Sequence, residues 1–330
     1  MTKTGRKRLL SSRICDLELK IPGTHLHELI LALHLELERA GLAFKPKTYL
    51  SDEWGCPQGV PVIGMPFYLA EPELHKLEGE ISGVEAESDA EIMMFLRHEA
   101  GHAFNYAYRL HEKAMWRRIF GRFEQEYRES YAARPFSTRY VRHVSGWYAQ
   151  KHPDEDFAES FAVWLTPGSN WREAYAGTPA LKKLAYVDRI ARSHGNKKPL
   201  VSGGMLDKPL KEWTMTLDTW YKDVHNHRRN SVKLPAVIDI DLKRLFTHAR
   251  GKAAEGFLGT RRAEIIRQVN NWTGLDRHVL GALFDELLRR IGLLGLRIET
   301  RGEARQRSNF AAFITTLAMN YQTGRHFVES

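Results

Sequence analysis

The sequence predicts an α+β fold. Two observations support this prediction: a pair of short strand-like segments follows an amphipathic helix near the start of the chain, and helical patterns dominate the remainder. The chain has 330 residues, of which 43% are hydrophobic and 27% are charged. Such a chain can bury a substantial core. It contains no internal repeat and no apolar run of the length needed to cross a bilayer.

The first predicted helix is the stretch HLHELILALHLELERAG, residues 25–41. Its apolar face consists of Leu26, Leu29, Leu33 and Leu37. The spacing of these leucines follows the helical repeat, and Gly41 is a typical end signal. Two short strands are predicted next, in residues 45–54 and 61–71, on either side of the turn-prone stretch GCPQG.

A long helix is predicted to begin after Ser88. Ser88 suits the N-cap position, and Glu91 three residues later completes a capping-box pattern. A further helix is predicted in the stretch HPDEDFAESFAVWL, residues 152–165. Pro153 favours its first position, and the Pro-Gly dipeptide that follows the stretch favours its end.

The chain is predicted to form a basic leader in residues 1–19, a first domain in residues 20–195 and a mainly helical second domain in residues 205–330. The connecting stretch SHGNKKPLVSGG, residues 193–204, has the Gly, Ser and Lys content of a hinge. Within the second domain, helical patterns occur in residues 260–274, 275–295 and 309–321. The stretch KLPAVIDIDL, residues 233–242, fits a strand.

The net charge of +9 is concentrated in the last part of the chain. Residues 201–330 contain 21 Lys and Arg against 14 Asp and Glu, which gives a net charge of +7. The simplest interpretation is a helical domain with a solvated basic face. The arginines would also suit acidic peptides, whose carboxylates they can bind bidentately. Nucleic acid is the other acidic partner that we consider, although no nucleic-acid-binding motif is present.

The two cysteines, Cys15 and Cys56, lie outside any CxxC pair, so we expect both to be reduced. The first twenty residues lack the apolar segment of a signal peptide. We therefore expect a cytoplasmic protein without a membrane partner. The sequence leaves the oligomeric state open.

The long helix contains the sequence His98-Glu99-Ala100-Gly101-His102. Side chains four residues apart stack on one face of a helix, so both histidines can offer imidazole nitrogens to one metal ion. The glutamate is rotated by one step, where it can act as a general base. The pattern predicts a zinc site. The alternative is a buried helix whose histidines are satisfied by hydrogen bonds in the core.

A catalytic zinc site needs a third protein ligand and an open position for water. A third histidine could be His143 or His152. The helix of residues 152–165 offers a glutamate instead, since Glu155 and Glu159 lie one turn apart on it. Glu155 as ligand and Glu159 as hydrogen-bond acceptor for one of the two histidines would complete the site. Taken alone, this helix could equally present an acidic face to water.

The motif HEAGH followed by EDFAE resembles the gluzincin metallopeptidases, whose third zinc ligand is a glutamate on a downstream helix. The FAE-x-F stretch is similar to the lethal-factor-like branch and to the branch described as "putative zinc-binding metallopeptidase". The resemblance implies a zincin fold for the first domain, with the second predicted strand as an edge strand that lies along the substrate. The resemblance implies His98, His102 and Glu155 as the zinc ligands. It implies Glu99 as the general base and Glu159 as the outer carboxylate.

A hydrogen-bond donor is also expected for the negative charge that develops on the substrate's carbonyl oxygen. Tyr148 lies seven residues before Glu155. A tyrosine just before the third-ligand helix is similar to the lethal-factor-like pattern, which favours Tyr148. His143 and Tyr140 are competing candidates.

The sequence therefore predicts a zinc metallopeptidase that hydrolyses peptide bonds, with Zn²⁺ as cofactor and an acidic peptide or protein as the first expected substrate. One alternative is a DNA-associated protease resembling the SprT-like proteins, which combine HExxH with a basic region but use a third histidine. The other is a non-catalytic basic helical interaction module that carries a structural metal site.

Overall fold

A computed structural model of the chain describes residues 2–81, 88–128, 131, 133–229, 232, 234–248, 250–275, 277–324 and 326–328. The chain divides into two compact units. The first unit comprises Met1–Glu78 and Ala86–Trp220, and the second comprises Gly79–Glu85 and Tyr221–Ser330.

The described residues are mostly helical, with two small two-stranded sheets. The helices are α1 (Lys3–Ser11), α2 (His25–Arg39), α3 (Pro72–Ile81), α4 (Asp89–Ala107), α5 (Ala114–Phe120), α6 (Pro153–Leu165), α7 (Trp171–Ala174), α8 (Ala180–His194), α9 (Leu217–Arg229), α10 (Ile238–Leu245), α11 (Ala254–Gly259), α12 (Arg262–Thr273), α13 (Arg277–Leu293) and α14 (Glu303–Gly324). The strands are β1 (Lys47–Ser51), β2 (Val62–Pro66), β3 (Lys252–Ala253) and β4 (Arg297–Ile298). The α+β prediction is therefore confirmed. Among these described helices, none has both the length and the hydrophobicity needed to span a membrane.

Helix α2 has the predicted apolar face. Thr24 is its N-cap, and the Thr24 side chain accepts a hydrogen bond from the backbone N–H of His27. The buried residues of the helix are Leu26, Leu29, Ile30, Leu33 and Leu37. These residues recur at the helical spacing, so burial of one stripe holds α2 against the rest of the first unit.

Strands β1 and β2 pair in parallel, with Tyr49 opposite Gly64. All five residues of β2 are buried. Gly64 also exchanges two backbone hydrogen bonds with Gly55, at 2.7 and 3.2 Å, so β2 has a backbone partner on both sides at this residue. The expectation that this strand offers a free edge to a substrate is therefore wrong at Gly64, because the turn between the two strands folds back onto that edge.

The ends of α4 and α6 follow the predicted capping signals. Ser88 is the N-cap of α4, where its hydroxyl accepts a hydrogen bond from the Glu91 backbone N–H at 3.3 Å and donates one to the Glu91 carboxylate at 3.0 Å. Pro153 is the first residue of α6, and the side chain of His152 accepts from the Asp154 backbone N–H at 3.1 Å. Both caps satisfy amide groups that have no partner inside the helix.

Helices α4 and α6 cross at very short range. A Cβ atom added to Gly101 would lie 2.8 Å from the Cα of Ala158, so only glycine fits at this position without a shift of the backbone. The rings of Phe104 and Phe161 stack beside the crossing, with their centroids 5.2 Å apart. This close approach brings polar side chains of the two helices into direct contact.

The second unit has its own hydrophobic core. Its buried residues come mainly from α10 to α14, and they include Leu242, Leu258, Leu280, Leu283, Phe284, Leu287, Ile291 and Phe310. Strands β3 and β4 pair antiparallel. The strand predicted in residues 233–242 is wrong: α10 begins at Ile238, because Ile238 and Leu242, one helical turn apart, are both buried in this core.

Candidate metal centre

The predicted site residues come from two neighbouring helices of the first unit. His98, Glu99 and His102 lie in the middle of α4, and Glu155 lies in the first turn of α6. All four side chains are buried. Among the described residues, His98, His102 and Glu155 form the one group of three potential metal ligands, with their ligand atoms all within 4.8 Å of one another.

The three inward-facing atoms of this group form a compact triangle. The Nε2 atoms of His98 and His102 are 3.1 Å apart. The Oε2 atom of Glu155 lies 3.0 Å from the first and 3.2 Å from the second. Glu155 lies more than fifty positions after the two histidines in the sequence. The three atoms therefore meet only because the tertiary fold brings α4 and α6 together.

Each histidine binds a separate carboxylate through its other ring nitrogen. The Nδ1 atom of His98 lies 2.9 Å from Oε1 of Glu159, and the Nδ1 atom of His102 lies 3.0 Å from Oδ2 of Asp154. A carboxylate accepts hydrogen bonds, so we assign the Nδ1–H tautomer to both rings. In the neutral rings both Nε2 lone pairs then face each other and Glu155, an arrangement that a metal ion or a shared proton can bridge.

The surrounding carboxylates favour a positive charge on the two histidine rings. Burial alone would lower the pKa of His98, but hydrogen bonds to Glu155 and Glu159 outweigh burial and raise that pKa to about 9. Burial is likewise outweighed at His102, whose pKa is raised by Asp154 and Glu155. The two histidines in turn hold the pKa of Glu155 well below its usual range, against the effect of burial. The group therefore stabilises positive charge at its centre.

Glu99 is buried beside this centre without belonging to the triangle. Its Oε2 atom is one of the buried oxygens without a hydrogen-bond partner among the described residues. Burial is the largest influence on its carboxylate and raises the Glu99 pKa above its ordinary value. The thiol of Cys56 lies 3.4 Å from the Glu99 backbone carbonyl oxygen. A buried carboxylate of raised pKa is well suited to accept and return a proton.

Tyr148 lies at the edge of the centre. It opens a short 3₁₀ turn, Tyr148–Gln150, that leads into α6. The centroid of its ring is 5.6 Å from that of the His98 ring, and its hydroxyl is 3.4 Å from the hydroxyl of Tyr127. Tyr140, the competing tyrosine, contacts Lys183 instead, and the Lys183 Nζ atom is 4.0 Å from the centroid of the Tyr140 ring.

The two histidines considered as alternative ligands form hydrogen bonds away from this centre. The Nε2 atom of His143 is 2.9 Å from the carbonyl oxygen of Met94. His152 caps α6, and its Nε2 atom is 3.1 Å from the carbonyl oxygen of Gln125. Neither histidine shares the group formed by the triangle atoms. The third donor beside the two histidines of α4 is a carboxylate.

Comparison with known protein families gives a match over residues that include the whole centre. Residues 86–195 match the family described as "Putative zinc-binding metallo-peptidase". The predicted resemblance to the putative zinc-binding metallopeptidase branch is thereby confirmed over these 110 of the 330 residues. No curated protein and no solved structure shows significant similarity to the chain.

The donor set fits the metal named in the family description. Ligand atoms about 2.0–2.1 Å from a tetrahedral zinc lie about 3.3 Å from one another. The three sides of the triangle, 3.0, 3.1 and 3.2 Å, are close to that value. Two imidazoles and one carboxylate are also a usual ligand set for catalytic zinc, and a carboxylate behind each histidine is the usual outer partner.

Sequence reasoning missed Asp154, the outer partner of His102. The second carboxylate oxygen of Asp154 accepts a hydrogen bond from Asn105 Nδ2 at 2.7 Å. The Tyr106 hydroxyl donates a hydrogen bond to the same carboxylate. Asp154 directly precedes Glu155 in the acidic first turn of α6, and no local pattern distinguishes it as the partner of His102.

Sequence reasoning also missed Tyr127. Its hydroxyl donates a hydrogen bond to Oε1 of Glu155 at 2.6 Å. Tyr127 follows α5 in a segment without helix or strand. No periodic pattern marks such a residue, so the sequence offers no signal for this contact.

Proposed function

We propose that the first unit is a zinc-dependent peptidase domain of zincin-like architecture. The zinc would be held by Nε2 of His98, Nε2 of His102 and Oε2 of Glu155. The observation that carries this proposal is the triangle of these three atoms, with sides of 3.0–3.2 Å and both histidine Nδ1 atoms engaged by carboxylates. The SprT-like alternative is not favoured, because the third donor is a glutamate.

A zinc ion bound in this centre would acidify a water molecule and polarise the carbonyl group of a bound peptide. In this proposal Glu99 would accept a proton from the attacking water on Oε2, which has no hydrogen-bond partner among the described residues, and would return it to the nitrogen of the leaving amine. The Tyr148 hydroxyl donates a hydrogen bond to the carbonyl oxygen as negative charge develops there. Asp154 and Glu159 keep the two imidazole rings oriented and in the Nδ1–H tautomer.

We further propose that the substrate is a peptide or protein, with acidic sequences preferred. The support for this preference is the net charge of +7 in residues 201–330, which attracts acidic partners over long range. In this proposal residues 20–195 perform the chemistry and residues 205–330 act as a basic accessory part. Cleavage of a mixed peptide library, with products identified by mass spectrometry, tests both activity and preference.

The variant Glu99→Gln separates metal binding from chemistry. We expect it to retain one zinc per chain and to lose about 10²–10⁴-fold in turnover, because it removes only the proton acceptor. His98→Ala and Glu155→Ala should instead lose the metal, as measured by atomic absorption after gel filtration. Full activity of Glu99→Gln, or stoichiometric zinc in both alanine variants, would contradict the proposal.

A further inference from the structure

Each of the three side chains proposed as zinc ligands has one atom that faces inward, toward the other two. A second polar atom of the same side chain forms a hydrogen bond with an outer partner. For the histidines the outer partners are Glu159 and Asp154, both buried carboxylates. For Glu155 the inward atom is Oε2, and the outer atom Oε1 accepts the hydroxyl of Tyr127 at 2.6 Å. Tyr127 is therefore the outer hydrogen-bond partner of Glu155, just as a carboxylate is the outer partner of each histidine.

We propose that Tyr127 is a positioning residue that fixes the carboxylate of Glu155 in the orientation needed to bind the metal. This inference rests on the proposed function. A glutamate carboxylate can turn about its last bond and present either oxygen, or both, to a metal ion. A hydrogen bond that holds Oε1 outward leaves Oε2 as the single inward oxygen, and outer partners of this kind raise metal affinity.

Contacts at the start of α6 hold the Tyr127 ring in place. The Lys151 ammonium group lies 4.4 Å from the centroid of the ring, a cation–π distance. The His152 ring lies on it with the centroids 5.3 Å apart, and the Nε2 atom of His152 also binds the carbonyl oxygen of Gln125, two residues before Tyr127. The segment is therefore attached to the same end of α6 that carries Glu155.

Tyr127 differs from the two outer carboxylates in a way that makes it testable. Its side chain is neutral and 46% exposed, whereas Asp154 and Glu159 are charged and buried. Replacement of either carboxylate would disturb a buried network. Tyr127→Phe removes one hydroxyl, keeps the ring against Lys151 and His152, and leaves both histidine partners untouched.

The test compares Tyr127→Phe with a matched control, Tyr131→Phe, in the full chain. Tyr131 lies four residues on, and its hydroxyl donates to the carbonyl oxygen of Gly146 at 3.3 Å rather than to a proposed ligand. Zinc affinity is measured by competition with a chromophoric chelator. We expect Tyr127→Phe to bind zinc about 10–100-fold more weakly and Tyr131→Phe to bind it like the parent chain.

Two further measurements separate positioning from a loss of fold. The visible absorption of the Co²⁺-substituted chain reports the ligand arrangement, and we expect it to change in Tyr127→Phe alone. The melting temperatures of the zinc-free chains should be the same in the parent and both variants. Unchanged zinc affinity in Tyr127→Phe, equal weakening in both variants, or a lowered zinc-free melting temperature in Tyr127→Phe alone would each overturn the inference. Failure of the parent chain to bind zinc at all would instead refute the proposed function.

Discussion

The crossing of α4 and α6 predicts a specific cost for adding one methyl group at Gly101. In Gly101→Ala the new Cβ atom would lie 2.8 Å from the Ala158 Cα, 3.0 Å from the Ala158 carbonyl oxygen and 3.1 Å from the Phe161 Cβ. Ordinary contact begins near 3.4 Å, so the shortest of these distances must grow by about 0.6 Å. All three atoms belong to the backbone or to a Cβ, so no flexible side chain can turn away and the helices must separate.

The magnitude follows from two opposing effects. Overpacking of a tight core contact costs about 1–3 kcal/mol. Alanine in a helix interior recovers about 0.5–1 kcal/mol relative to glycine. We therefore expect Gly101→Ala to lower the free energy of unfolding by about 1 kcal/mol, within a range of about 0–2.5 kcal/mol. Zinc affinity should fall as well, since the same separation moves the two histidines of α4 away from Glu155.

The assay is urea unfolding of the zinc-free chain, followed by chelator competition for zinc. Gly79→Ala is the matched control, because Gly79 also lies in a helix but a Cβ there would meet no atom of the described residues within 4 Å. That variant should be as stable as the parent chain or more stable by up to about 1 kcal/mol. If Gly101→Ala proved as stable as Gly79→Ala and bound zinc equally well, the close crossing would not be the feature that assembles the centre.

Two further predictions concern ion pairs of the first unit. Lys183→Met should lower the free energy of unfolding by about 3–5 kcal/mol, because it deprives the buried Asp156 of its nearest counter-charge, the Lys183 ammonium group 2.6 Å away. Lys182→Met, at an exposed position, should change the denaturation midpoint little, and an equal loss in both variants would exclude this reason. His25→Ala should destabilise the chain more at pH 5.5 than at pH 8, since Asp89 and Glu28 raise the His25 pKa in the folded chain, so its contribution is present below about pH 6.5 and is lost as the pH rises through the folded value. Thermal melts at the two pH values measure this difference, and a pH-independent difference would contradict it.

The parts of the site with local signals were predictable from the sequence. The capping pattern at Ser88 marks the start of α4, and the spacing of His98 and His102 places both on one face of that helix. Pro153 marks the start of α6. Such signals depend on contacts between residues three or four apart, which a linear sequence displays directly.

Local signals were also misleading where the tertiary environment decided the outcome. The alternation of apolar residues in KLPAVIDIDL fits a strand, yet Ile238 and Leu242 are one helical turn apart and both are buried in the second core as part of α10. The second predicted strand exists as β2, but its edge at Gly64 is taken by Gly55. In both cases the deciding neighbour lies elsewhere in the chain.

The amino-acid order alone determined which side chains could bind a metal ion: two imidazoles one turn apart and an acidic helix downstream, since helical periodicity is a local property. Only the tertiary structure decided which oxygen completes the triangle and what stands behind each ligand. Asp154 reaches His102 because two helices cross at very short range at a glycine, and Tyr127 reaches Glu155 from a segment with no regular structure. Contacts of this kind depend on how distant segments pack, and the spacing of residues along the chain carries no record of that packing.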